Sequence, residues 1–381
     1  MTIATAADLG TALKTAAAGA VIALAPGQYD HLRYAPTTAL SGPVTITAAD
    51  PANPPNFHLG IEVRNTGNLT FSGLKVGRED ATSVSSPLVQ LVNCHDITLD
   101  GMTYSGVDKG ATGYLGYGVA ATGVDGLTLI RGKTDHVYRV ATIGSCKRVM
   151  IADNDHAFFQ GDAYQLVSVT GVQLLRNLFE KCYTFGVGHV DLFQFMIRAA
   201  SYGDIPSTDI VIEDNFCGND PFNGHCQFVF VKSEDTTKRF QNVTVQRNIS
   251  YGTNWDAHNF IGVDGLLLNE NYAYFVAAAN STITDAEMAC SNTTGTATNN
   301  HMTKSSLDKA LLDPSNVIDR LKMTATLADM AAAKAAWSAK FRAPPAPPVR
   351  PAATILSDMI ANASANAKLI DELRASIASA S

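Results

Sequence analysis

Residues 149–177 read VMIADNDHAFFQGDAYQLVSVTGVQLLRN, and one motif occurs in them twice. Val149-Met150-Ile151 is followed by Asn154, and Val172-Gln173-Leu174 is followed at the same distance by Asn177. The unit returns as Ile210-Val211-Ile212 with Asn215, Val243-Thr244-Val245 with Asn248 and Leu266-Leu267-Leu268 with Asn271. Weaker copies start upstream at Leu69, Ile97 and Leu127. Successive starts lie 28, 30, 22, 23, 38, 33 and 23 residues apart, so coils of 22–23 residues carry inserted loops. Each unit is too short for a helix, and its period of two marks a strand with one face inside. Such a unit cannot bury its face alone and must stack on its neighbours, which predicts a parallel solenoid. A leucine-rich horseshoe has a similar period, but the chain lacks LxxLxLxxN runs and its strands are Val/Ile-rich with Gly/Asn turns.

Stacked coils place equivalent residues about 4.8 Å apart. The asparagines should therefore form a ladder along one turn. The residue before each of them gives a second column, Arg131, Asp153, Arg176, Asp214, Arg247 and Glu270, whose signs alternate. Opposite charges on neighbouring strands add roughly 0.2–1 kcal/mol each, so this column reads as structural.

Leu9, Ala12, Leu13 and Ala16 have helical spacing within residues 6–16, a segment suited to capping the open first coil. A strand and turn follow, Val21-Ile22-Ala23-Leu24-Ala25-Pro26-Gly27-Gln28-Tyr29. An alanine-rich cap, a strand and a Pro-Gly-x-Tyr turn resemble the opening of pectate-lyase-like, single-stranded right-handed β-helix proteins. The resemblance covers roughly residues 4–280 and rests on architecture rather than a catalytic motif. It implies an all-β, right-handed parallel β-helix with an N-terminal capping helix, to which the residues beyond the repeat add an expected α-helical C-terminal region. That superfamily holds polysaccharide lyases, polysaccharide hydrolases and bacteriophage tailspikes.

The period fades after Tyr274, which assigns residues 1–276 to the β-helix and 277–342 to a loop and short helices. Residues 343–351 (APPAPPVRP) read as a stiff Pro-rich linker. Over 352–381, Leu356, Met359, Ala363, Asn366, Ile370, Leu373 and Ile377 recur at a 3-4 spacing, a heptad seam with one polar insertion. This predicts a coiled-coil oligomerisation segment. The seam suits a dimer as well as a trimer; the tailspike resemblance implies a homotrimer.

The alignment brings chemistry-bearing residues together. Asn154 is followed by Asp162 and Gln165, and Asn248 at the same distances by Asp256 and Asn259. Asp191 and Gln194, then Gly224 and Gln227, are the expected equivalents between them. Strands starting at Gln165, Gln194, Gln227 and Asn259 should stack, with Asp162, Asp191, Gly224/His225 and Asp256 at their entrance. His189 and His258 flank the acids, and Tyr202 and Trp255 lie nearby. Unlike the charged column, this one lacks a matching cation in each intervening coil, which weakens a structural explanation. Loops inserted within Arg198–Asp209 and Lys232–Gln241 should wall a groove.

We therefore expect Asp191, Asp162, Asp256 and His189 as catalytic residues, with His225, His258, Gln165, Gln194, Tyr202 and Trp255 binding substrate. Adjacent coils would hold Asp162 and Asp191 about 5 Å apart, near the ~5–5.5 Å of retaining glycosidases. Asp191 and Asp256, two coils apart, come near the ~6.5–9.5 Å of inverting ones. Turn structure, sugar binding without chemistry and a calcium site are the alternatives.

Composition narrows the function classes. A net charge of −7 disfavours nucleic-acid binding, no apolar run is long enough to span a bilayer, and MTIATAADLG lacks the features of a secretory signal. Six cysteines without a CxxC pair give no zinc or redox motif and read as buried thiols. The expected function is that of a tailspike or tail fibre, made in the host cytoplasm and carried on the virion. It would bind and hydrolyse a bacterial surface polysaccharide without a cofactor, attaching to other tail proteins through its C-terminal region. A free-standing polysaccharide lyase, with calcium and the cations Lys181, Arg198, Lys232, Lys238 and Arg239, is the alternative enzyme, with an extracellular location as the alternative to the virion. A non-catalytic receptor-binding protein is the alternative outside enzymes.

Overall fold

The computed structural model describes residues 2–3, 5–38, 40–183, 190–198, 207–219, 226–235, 237–252, 256–276, 285–308 and 311–342. The chain winds as a right-handed parallel β-helix. Each coil gives one strand to each of three long sheets: Lys147–Ala152 to the first, Asp155–His156 to the second, Tyr164–Val167 to the third, and Thr170–Leu175 back to the first. The first-sheet register is the one the repeat dictates: Leu69, Ile97, Leu127, Val149, Val172, Ile210, Val243 and Leu266 pair in succession. The inward rows of the three sheets make one continuous apolar core, from Leu9 and Leu13 to Leu307 and Leu311.

Helix α1 (Ala6–Lys14) closes the first coil. The Thr5 hydroxyl accepts a bond from the Asp8 N–H at its start, and Leu9 and Leu13 are its buried face.

Two columns fix the turn after the first sheet. Asn154, Asn177, Asn215, Asn248 and Asn271 are buried, and each Nδ2 donates to the Oδ1 of the next coil's asparagine at 2.9–3.0 Å. Each Oδ1 beyond the first of these also accepts a backbone N–H from the coil before, so buried polar groups are matched along the stack. The ladder runs on through Asn300 and Asn316. The neighbouring charged column has a cause the sequence hid: Arg131, Asp153, Arg176, Asp214, Arg247 and Glu270 all have φ between 52° and 60°. Side chains other than Gly, Asn and Asp are uncommon in this left-handed region. The arginines reach back one coil, Arg176 to Asp153 at 2.8 Å and Arg247 to Asp214 at 3.2 Å. Arg131 pairs with Asp100 rather than with Asp153.

The C-terminal limit at 276 is too early. Glu287–Ser291, Gly295–Thr298, His301–Met302, Lys304–Ser306 and Val317–Ile318 extend all three sheets, where a loop and short helices were expected. These strands are short and rich in Ser, Thr and Ala, so their alternation is faint; Asn300 and Asn316 keep the repeat's signature. The one described helix beyond them is α2 (Leu327–Phe341). On it, Trp337 donates to the Asp214 carbonyl at 2.8 Å, and Lys334 pairs with Glu180. The body of the solenoid ends at Trp337 and a separate unit begins at Ser338. The Pro-rich linker and the heptad segment lie outside the described residues.

Candidate functional site

The third sheet carries the polar residues of interest. Its outward row reads Thr142, Gln165, Gln194, Phe230, Asn259 and Ala289. Gln194 is thus level with Phe230 rather than Gln227, and the second loop insertion follows Phe230. The three-residue error arose in a coil lengthened at both ends, where spacing no longer counts coils. Gln227 pairs with Asp191 instead, so it stands in the acidic column where Gly224/His225 was expected.

That column also has cations at its ends. Arg139 binds Asp162 at 2.9 Å on one side, and Lys304 binds Glu287 at 2.7 Å on the other. Glu287 pairs with Asp256 in the sheet register. Between Asp162 and Glu287 the column carries no cation among the described residues, since Gln227 fills the intervening coil, and the two cations sit only at its ends. Arg139 was missed because its partner sits 23 residues on, in the following coil.

A directional hydrogen-bond chain runs across the outward face. Arg139 Nη1 donates to Gln165 Oε1 at 2.9 Å, Gln165 Nε2 to Gln194 Oε1 at 2.8 Å, and Gln194 Nε2 to Asp191 Oδ2 at 2.8 Å. Asp162 Oδ1 accepts the Asp191 backbone N–H at 3.1 Å. The Arg139 guanidinium lies 5.3 Å from the ring centroid of Tyr117 and 5.9 Å from that of Tyr138. Asp191 has 0% exposure and Asp162 only 7%, whereas a central catalytic carboxylate must meet the sugar. The placement of Asp191 at the centre of a hydrolytic site is corrected on that ground.

His258 is corrected too. It pairs with Val229 and Met288 on the inward row, lies 5.2 Å from Phe228, and is wholly buried. Neither ring nitrogen finds a hydrogen-bond partner among the described residues, and burial lowers its pKa to about 3. It is a neutral core residue, not a substrate ligand. Alternation gives the reason: with Asn259 facing out, His258 must face in. His189, His225, Tyr202 and Trp255 lie outside the described residues. Asp256 begins the strand Asp256–Ile261.

Gln165 and Gln194 open onto a cleft of about 430 Å³, lined also by Tyr138, Arg139, Gly161, Asp162, Met196, Arg198, Phe230, Lys232 and Glu234. Arg198 grips Glu234 through two bonds of 2.7 Å. Both carboxylates of this cleft are thus engaged by guanidinium groups, while Lys232 makes no ion pair among the described residues. Calcium needs several oxygen ligands at one point. No cluster of three or more His, Cys, Asp or Glu that could hold a metal occurs among the described residues.

Neither a family model nor a curated protein matches the chain. Solved structures do. The Dettilon tailspike protein aligns with a TM-score of 0.54 at 12% identity, over 84% of this chain and 64% of that one. The chain thus spans less than two thirds of that protein's length. A mannuronic acid specific polysaccharide family 6 lyase from human gut microbiota aligns with a TM-score of 0.45 at 12% identity, covering 83% and 85%. The Streptococcus pneumoniae surface protein and adhesin PfbA aligns with a TM-score of 0.45 at 11% identity, covering 84% and 94%. At these identities the likeness is one of fold.

Proposed function

We propose that this protein binds an acidic surface polysaccharide in the third-sheet cleft and cleaves it by β-elimination. One observation carries the reading: Arg139, Arg198 and Lys232 line one cleft together with Asp162 and Glu234, and both acids are ion-paired to the arginines, which leaves Lys232 as the cation in excess. Glycoside hydrolysis needs one carboxyl available to protonate the leaving oxygen. Here the cleft acids are held by arginines and Asp191 is buried. Elimination instead gives the proton beside a uronate carboxylate to water, and its electron pair forms the C=C bond as the bond to the glycosidic oxygen breaks. The Lys232 ammonium protonates that oxygen and is reprotonated through water. Cations fixed around the carboxylate stabilise the charge that develops. The Gln165–Gln194 amides suit sugar hydroxyls, and Phe230 and Tyr138 supply apolar faces. The tailspike likeness supports extending the reading to a virion protein, with 352–381 joining its copies.

The test is incubation of the full chain with polygalacturonate, alginate and dextran. An ultraviolet-absorbing unsaturated product from an acidic polymer is expected, falling ~10²-fold or more in Lys232→Ala. New reducing ends without unsaturation would assign hydrolysis. Binding without cleavage of any acidic polymer would leave an adhesin-like role.

A further inference from the structure

The first sheet carries a second concavity, of about 570 Å³, on its solvent face. Its origin is a column of left-handed residues at the start of each strand: Arg148, Gly171, Asp209 and Asn242, with φ of 51°, 65°, 58° and 55°. Three of these carry polar side chains and the fourth carries none. A Cβ on Gly171 would meet nothing closer than the Arg148 backbone nitrogen at 3.6 Å, so this coil leaves a gap between Arg148 and Asp209.

The walls of the gap carry ion pairs and hydrogen bonds of their own. Arg148 is fixed by Asp125 at 2.6 Å and Asp96 at 3.2 Å. Asp209 Oδ1 accepts from Asn242 Nδ2 at 3.0 Å, and Oδ2 accepts from the Thr208 hydroxyl at 2.8 Å. Those bonds hold the Asp209 carboxyl below its usual pKa, with Thr208 the larger cause. Each carboxylate oxygen has lone-pair capacity left, and the Asn242 carbonyl oxygen points toward Gly265. The floor combines apolar surface from Val211 and Met150 with the exposed amide of Gln173.

We infer that this groove is a second saccharide-binding site, separate from the third-sheet cleft, that takes a neutral pyranose. Asp209 and Asn242 accept from and donate to neighbouring hydroxyls, Gln173 spans a third, and Val211 and Met150 meet the C–H face of the ring. A few placed polar groups around an apolar floor mark a small-ligand site. Protein interfaces instead concentrate aromatic side chains and exclude charge at their centre, and among the described residues this groove is lined by no aromatic side chain and is walled by Arg148 and Asp209. The site does not depend on the cleft being catalytic.

The test is saturation-transfer NMR on the full chain with methyl glucoside, methyl galactoside and methyl mannoside. We expect transfer to at least one of them, retained in the cleft variant Gln165→Ala/Gln194→Ala and weakened ~10-fold or more in Asp209→Ala, as loss of a hydrogen bond to a charged group predicts. Gln173→Ala, an exposed position, should weaken it several-fold and guards against misfolding of the first variant. No transfer in the wild type overturns the inference, as does transfer lost in the cleft variant and kept in Asp209→Ala. A fall in mass by light scattering in Gln173→Ala would assign the groove to a subunit interface and also overturn it.

Discussion

Replacing Asn215 by alanine interrupts the ladder at its middle. The change removes the acceptor of the Asn177 backbone N–H at 2.8 Å and of Asn177 Nδ2 at 3.0 Å. It also removes donors to the Leu174 carbonyl at 2.9 Å and to Asn248 Oδ1 at 3.0 Å. Asn177 Nδ2 keeps the Ile151 carbonyl, and Asn248 Oδ1 keeps the residue-215 backbone N–H. The Asn177 N–H is left buried without that partner, at about 1–3 kcal/mol. With net losses of roughly 0.5–1.5 kcal/mol for each of the other bonds, Asn215→Ala should destabilise by about 2.5–7.5 kcal/mol. Urea unfolding followed by tryptophan fluorescence in a Trp255→Phe background reads this locally, because Trp337 is 3% exposed and bonds to the adjacent Asp214 carbonyl. Asn316→Ala makes the comparison. It ends the ladder and is only half-buried, so water replaces its bonds and the expected loss is under about 1 kcal/mol. Equal losses at the two sites, or a loss below about 1 kcal/mol at Asn215, would show that the ladder does not stabilise the coils.

His258 links stability to acid. The unfolded imidazole, near 6.5, binds a proton that the folded one, near 3, does not. Stability is therefore complete above pH 6.5 and lost as pH falls toward 3, by at most on the order of 5 kcal/mol. His258→Leu should flatten that window and add about 1–3 kcal/mol at pH 7, measured by urea unfolding at several pH values. Asp191→Asn should leave kcat within a few-fold of wild type while Lys232→Ala collapses it; the reverse order would restore the hydrolytic assignment. Deleting residues 344–381 should lower the mass seen by light scattering and leave the circular dichroism of the solenoid unchanged. An unchanged mass would remove the coiled-coil assignment.

Spacing alone made the first-sheet register legible, because Val149, Val172 and their equivalents recur beside an asparagine that must pair across coils. The third-sheet register was legible at Gln165, Gln194 and Asn259. It failed at the strand containing Phe230, where loops at both ends left no marker to count from. Arg139 escaped notice because an ion pair across coils has no local signature, and His258 because a histidine near acids invites a chemical role that alternation forbids. The last coil was hidden by its small side chains, although Asn300 continued the ladder. The left-handed column was legible only in part: Gly73, Gly101 and Asn299 mark such positions, but Arg176 and Glu270 do not.

The most direct test of the central claim is a crystal structure of the Lys232→Ala protein soaked with an acidic oligosaccharide from polygalacturonate or alginate. The account predicts a chain of sugars along the third sheet, with hydroxyls on Gln165 and Gln194 and a uronate carboxylate facing Arg198. Sugar density confined to another face of the solenoid, with that cleft empty, would contradict it.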